Sequence, residues 1–220
     1  MLRADGRNVS SILSVILVGW FLLVLAAGFA GAFESGPSRP PLAVLVAVAG
    51  PPLIFAAAYR ASRRFRDFVL AIDLQLLTAV QSWRVIGVMF LAFYAFGLLP
   101  GLFAWPAGVG DAAVGLAAPF VLLAMVRRSP TWRRQVLWLN IAGLVDFIGA
   151  IGTGVLSSNN SIGLVAGGAT RVSLGSLPLS LIPTFAVPLW TLFHIVSLLQ
   201  LARTAGTVSA RGGTVATAAV

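Results

Sequence analysis

The chain has 220 residues, of which 59% are hydrophobic and 10% charged, with 15 arginines, no lysine, no cysteine and a formal net charge of +9. A water-soluble fold of this composition would expose apolar surface far beyond a tolerable patch, so the expected class is an all-α polytopic membrane protein. The missing residues exclude disulfides, thiolate metal sites, thiol nucleophiles and lysine Schiff bases, and the excess charge points to anionic headgroups rather than nucleic acid.

In chain order, six segments are apolar enough to cross a bilayer of about 30 Å. They span about 11–33, 41–59, 85–105, 108–126, 135–156 and 177–201. The spans form three hairpins in one transmembrane domain over 1–201, and the small-residue stretch 202–220 is expected to be a disordered cytoplasmic tail. Arg3, Arg7 and the run Ala30-Gly31-Ala32 imitate a signal peptide, but the first apolar stretch is longer than a usual signal core of about 7 to 15 residues, and it is read as a retained span. Thirteen arginines fall on one side of the six-span arrangement, and Arg39 and Arg171 on the other. The positive-inside rule then places both termini in the cytoplasm. Abundant Arg, Ala, Gly and Val suggest a GC-rich bacterial source and hence an inner membrane.

Between the second and third spans, the segment 67–84 has helical periodicity. Phe68, Val69, Ile72, Leu76, Ala79, Val80 and Trp83 share one face, with Asp67, Asp73, Gln75, Thr78, Gln81 and Arg84 on the rest. It is expected to be an amphipathic interfacial helix, or an inward extension of the third span, with Gln81, Trp83 and Arg84 at the interface. Tyr59, Trp83, Trp132 and Trp138 are placed at the inner boundary and Trp105 at the outer one. Between the third and fourth spans, Gly108 and Gly110 suggest a tight turn and Asp111 a cap on the fourth helix. The gap from Ser157 to Ser176 reads as a flexible outer loop.

Asp146 falls in the middle of the fifth span, where a carboxylate is costly unless paired, hydrated or protonated. No arginine lies in the central part of any predicted span, so Asp146 is expected to be neutral, donating a hydrogen bond from a helix face of small residues. Asn140, His194 and Asp146 are the candidates for a proton or solute relay. Their alternative role is hydrogen bonding between packed helices. Pro183 and Pro188 are expected to kink the sixth span so that it lines a cavity. A lone histidine makes neither a zinc nor a bis-imidazole haem site, so neither metal nor cofactor is expected.

Gly108-Val109-Gly110-Asp111 resembles the GxGD signature of intramembrane aspartyl proteases, in which two membrane aspartates share a proton and activate water. That resemblance covers four residues and implies a second aspartate earlier in the chain, where Asp73, within a helix, belongs to the cytoplasmic side. A rhomboid-like serine protease lacks its nucleophile here, since the fourth span contains no serine. A wider pattern, Gln81-Ser82-Trp83-Arg84 with Leu99-Pro100, Phe103-Ala104 and Pro106 to Asp111, is similar to small uncharacterised multi-pass bacterial membrane proteins and implies no activity. The leading expectation is translocation or sensing of a small solute or proton centred on Asp146. The alternatives are the aspartyl protease and a non-catalytic accessory or assembly subunit. The expected partners are anionic lipid and, through the small-residue faces, a second copy or another membrane subunit.

Overall fold

A computed structural model describes residues 2–164 and 173–216. Arg171, and with it part of the expected outer loop, lies outside the described residues. The described chain is all helical: α1 (Leu2–Phe29), α2 (Leu42–Ala61), α3 (Arg63–Leu70), α4 (Leu74–Val80), a 3-10 segment (Gln81–Val88), α5 (Met89–Ala95), α6 (Gly101–Val126), α7 (Trp132–Ser157), a π-helical turn (Ile182–Ala186) and α8 (Val187–Ala216). Six stretches are long and apolar enough to cross a membrane: Ser11–Phe29, Leu42–Ala61, Leu74–Ala95, Gly101–Val126, Trp132–Ser157 and Ile182–Arg203. Part of the expected disordered tail is helical, since α8 continues to Ala216.

The third span differs from the expectation. It starts at Leu74 and ends at Ala95, about ten residues earlier than the hydropathy pattern suggested, and consists of α4, the 3-10 segment and α5. The turn that closes it is Phe96 to Pro100. Gly97 takes a positive φ of 66° there, its N–H and that of Leu98 return to the carbonyls of Tyr94 and Phe93, and Pro100 precedes the first turn of α6. Pro106 to Asp111 therefore make no turn and lie inside α6, and Asp111 caps nothing.

The expected interfacial helix is also divided. Its first part is α3, a short, strongly amphipathic helix capped by Ser62, which accepts from the Phe65 N–H at 3.2 Å. The chain then breaks, and Asp73 caps α4 by accepting from the Gln75 N–H at 2.8 Å. Along the rest of the segment the apolar side points out, with Leu76 58% and Trp83 68% exposed, while Thr78, Gln81 and Arg84 are buried. Helices apolar enough to cross a membrane can turn such side chains outward to hydrocarbon, and the polar ones gather where partners exist.

The third span, α6, α7 and α8 form the core of the bundle. α2 lies against α8 and the π turn with no buried residue, and α1 is fastened chiefly by Trp20 and Phe21 on Phe185, with ring centroids 4.7 and 5.2 Å apart. At the arginine-rich end, Val114, Ala118, Val121, Met125, Val136, Leu139 and Leu201 make one apolar cluster, and Val69, Leu77 and Val196 make another. Towards the opposite end, which carries the loops 30–41 and 157–176, Phe90, Phe103, Ala107 and Leu179 make a third.

Candidate functional site

At the middle of the core four side chains from three helices meet on one guanidinium. Arg84 donates from Nε to Asp111 Oδ1 at 2.8 Å, from one terminal nitrogen to Asp146 Oδ2, and from the other to His194 Nε2 at 3.0 Å. Its carbon centre sits 3.9 Å from the centroid of the Phe147 ring. The arginine side chain is 3% exposed, that of Asp146 8% and that of Asp111 18%. Each of these residues is near the midpoint of its span. A charged residue at this depth persists only where its charge is answered by neighbours, and here two carboxylates answer one cation.

Hydrogen bonding fixes the histidine. Asn140 donates its amide to the Val136 carbonyl at 2.8 Å, so its oxygen is left to accept from His194 Nδ1, also at 2.8 Å. With Nδ1 carrying the proton, Nε2 is the acceptor for Arg84. Arg84, His194, Asn140 and the Val136 carbonyl thus form one directed chain of donors and acceptors, and Phe147 closes it with an edge-to-face contact on the imidazole at 5.8 Å.

Glycines make the room. A Cβ on Gly87 would strike the Asp111 carboxylate, one on Gly110 the Asp146 carboxylate, and one on Gly143 both His194 and Arg84. On Gly115 it would meet the backbone of Val85, which is why α6 and the 3-10 segment approach so closely. A 3-10 stretch inside a span and a π turn in its neighbour are irregularities that concentrate at working sites, and here Arg84 lies within the first and shares a cleft with Ile182 and Ala186 of the second.

Two cavities end on this cluster. One, of about 100 Å³, runs from Ser35, Asn159 and Ser173 at the loop end past Phe103 and Ile151 to Asp111. The other, of about 220 Å³, is a cleft between the third and sixth spans, bounded by Trp83, Ile86, Ala186 and Trp190 with Arg84 and Asp111 behind. Phe90, Asp111, Phe147, Ile182 and Val187 line both. Pro183 lies on the π turn and lines the first, in keeping with a kinked sixth span facing a cavity.

Among the candidates taken from the sequence, Asp146, His194 and Asn140 come together, although Asn140 bonds His194 and not Asp146, and Asp146 reaches His194 only through Arg84. Asp146 was expected to be neutral for want of a cation, and the ion pair with Arg84 corrects that. Arg84 itself was placed among cytoplasmic loop arginines and Trp83 in the inner aromatic belt. Both belong to the middle of the third span, and Gln81 beside them is 1% exposed with neither amide atom bonded among the described residues. Gly108, Gly110 and Asp111 were placed in an outer turn and instead lie in α6, with Gly108 against Leu91 and Asp111 in the cluster.

Comparison with known sequences gives one family, described as "Domain of unknown function (DUF8737)", whose pattern matches residues 41–202. No curated protein and no solved structure matches the chain.

Proposed function

The chain belongs to this DUF8737 family, and we propose that it translocates or senses a proton or small solute at the cluster of Arg84, Asp111, Asp146 and His194. One observation carries this reading: a single buried guanidinium is set against two carboxylates, at the foot of cavities that reach the bundle surface. One arginine balances one aspartate. The second aspartate leaves a unit of negative charge in a poor dielectric, which favours uptake of a proton or a cation and disfavours an anion. His194, presented as an acceptor to Arg84, gives the guanidinium an alternative partner whenever a carboxylate is neutralised.

The aspartyl protease reading gains two membrane aspartates on one cation, but that cation counts against its chemistry. A protease pair shares a proton because nothing else relieves its repulsion, and Arg84 relieves it here. We place the arginine-rich end in the cytoplasm of a bacterial inner membrane. Moving Arg84 into the bundle still leaves twelve arginines on that side against two. Reporter fusions at Arg64 and Arg128 are expected to read cytoplasm and one at Ser38 the opposite side. A reversed pattern defeats the orientation.

The activity is tested by reconstituting the protein in vesicles with an internal pH dye under an imposed potential. Acidification is expected to be at least tenfold faster for the parent than for Asp146→Asn, which keeps the side-chain volume and removes the charge. Equal rates for the two would remove the cluster from any translocation step.

A further inference from the structure

We propose that Asp111, which lines both cavities, binds a small apolar monocation of the alkylammonium class, which enters from the bilayer through the cleft between the third and sixth spans. The proposal rests on the reading of the charge cluster as a working site, and adds to it a ligand class and a route.

The charge argument selects the sign. Asp111 Oδ1 accepts from Arg84, but Oδ2 has no hydrogen-bond partner among the described residues and lies beside Gly87, which itself lines the cleft. Asp111 is also the more exposed of the two carboxylates, and it borders both cavities. An anion would meet the surplus negative charge. A strongly hydrated divalent ion would need several oxygen ligands, whereas the walls near Asp111 are Phe90, Phe147, Ile182 and Val187. Those walls suit a hydrocarbon body with a single charged head, and aromatic faces are favourable neighbours for an ammonium. The spaces of about 100 and 220 Å³ limit the body to a short chain.

The route follows from where the two spans part. They are packed together at the arginine-rich end through Leu77 and Val196, and diverge at the level of Arg84. Trp83 and Ile86, on the rim of the cleft, are 68% and 56% exposed on the flank of the bundle, which faces hydrocarbon. A molecule already dissolved in lipid therefore meets the cleft directly. Asp111 lines the loop-end cavity as well as the cleft, so a ligand held there lies in line with the outer surface.

The test uses the full-length protein in lipid nanodiscs, with empty nanodiscs subtracted, and intrinsic tryptophan fluorescence to follow hexylammonium, hexanol and hexanoate. Hexylammonium is expected to bind at least tenfold more tightly than hexanol, with no saturable signal from hexanoate. Asp111→Asn should reduce hexylammonium to the level of hexanol. Ala186→Phe, which narrows the cleft and leaves every charge in place, should weaken hexylammonium at least tenfold, and it decides the matter alone if the Asn variant does not fold. Equal binding of hexanol or hexanoate, or unchanged affinity in the folded variants, overturns the proposal. Proton flux that depends on Asp146 without hexylammonium binding would remove the ligand and leave the function standing; binding without flux would keep the ligand and remove proton translocation.

Discussion

Above and below Arg84 the same helices are packed in two ways. In the arginine-rich half, apolar side chains from α6, α7 and α8 close on one another, and most polar groups are tied to carbonyls, Gln81 apart: Gln200 donates to Ile72 at 2.8 Å and to Val69 at 3.2 Å, Thr78 to Leu74 at 2.9 Å, and Ser197 to Phe193 at 2.8 Å. In the loop half the helices stand apart around a cavity, and the buried hydroxyls of Ser157 and Ser180 have no partner among the described residues. One half is a plug and the other a vestibule. The charge cluster sits at their junction, bordered by cavities on the loop side and the flank and by packed apolar side chains on the arginine-rich side.

The largest expected effect comes from the junction itself. Replacing Arg84 with Leu leaves Asp111 and Asp146 facing each other without a cation and takes the donor from His194. Breaking a buried ion pair from one side costs about 3 to 5 kcal/mol, so Arg84→Leu should lower stability by that amount in denaturing-detergent titrations. If the variant is as stable as the parent, water fills the junction and the plug is not sealed.

A smaller loss is expected one step away. Asn140 is 2% exposed and holds His194, so Asn140→Leu strands the His194 Nδ1 donor, while the Val136 carbonyl keeps its bond within α7. Leaving buried polar groups unpaired costs about 1 to 3 kcal/mol. The same titration checks it. A cost below about 0.5 kcal/mol would mean that His194 finds another acceptor, and the histidine tautomer argued above would fall.

How much of this was legible depended on whether the signal was local. Six spans were, since each needs only about twenty apolar residues in a row. Asp146, His194 and Asn140 stood out because polar groups inside such runs are conspicuous. Arg84 did not, because it follows four loop arginines and the polar residues Gln75, Thr78 and Gln81, and a short apolar stretch on its far side looked like the start of a new span. Two turn signals also competed. Gly97 and Pro100 make the real turn, while Pro106, Gly108 and Gly110 are consumed by helix contact, with the glycines serving as clearance for Leu91 and for the Asp146 carboxylate. The usable clue was the set Gly87, Gly110, Gly115 and Gly143. Glycines in three separate spans, each near a charged or polar residue, indicate large side chains arriving from a neighbouring helix, but the sequence does not say which glycine faces which charge.

The finest difference between plug and vestibule should appear when the same methylene groups are added to each. Ala118 is 0% exposed in α6, among Val114, Val121 and Val136, with no space beside it. Ala150 is on α7 and lines the loop-end cavity. A leucine at position 118 must displace close-packed neighbours, and overpacking of this kind costs about 1 to 3 kcal/mol. A leucine at position 150 extends into empty space, trades contact with solvent for contact with Phe103 or Ile151, and should change stability by less than about 0.5 kcal/mol. The two variants carry the same chemical change on neighbouring helices, so effects of composition and of lipid solvation largely cancel in the comparison. Equal destabilisation would mean that the vestibule closes in the bilayer. A neutral Ala118→Leu would mean that the plug is loose, and the cluster would then be open from both ends.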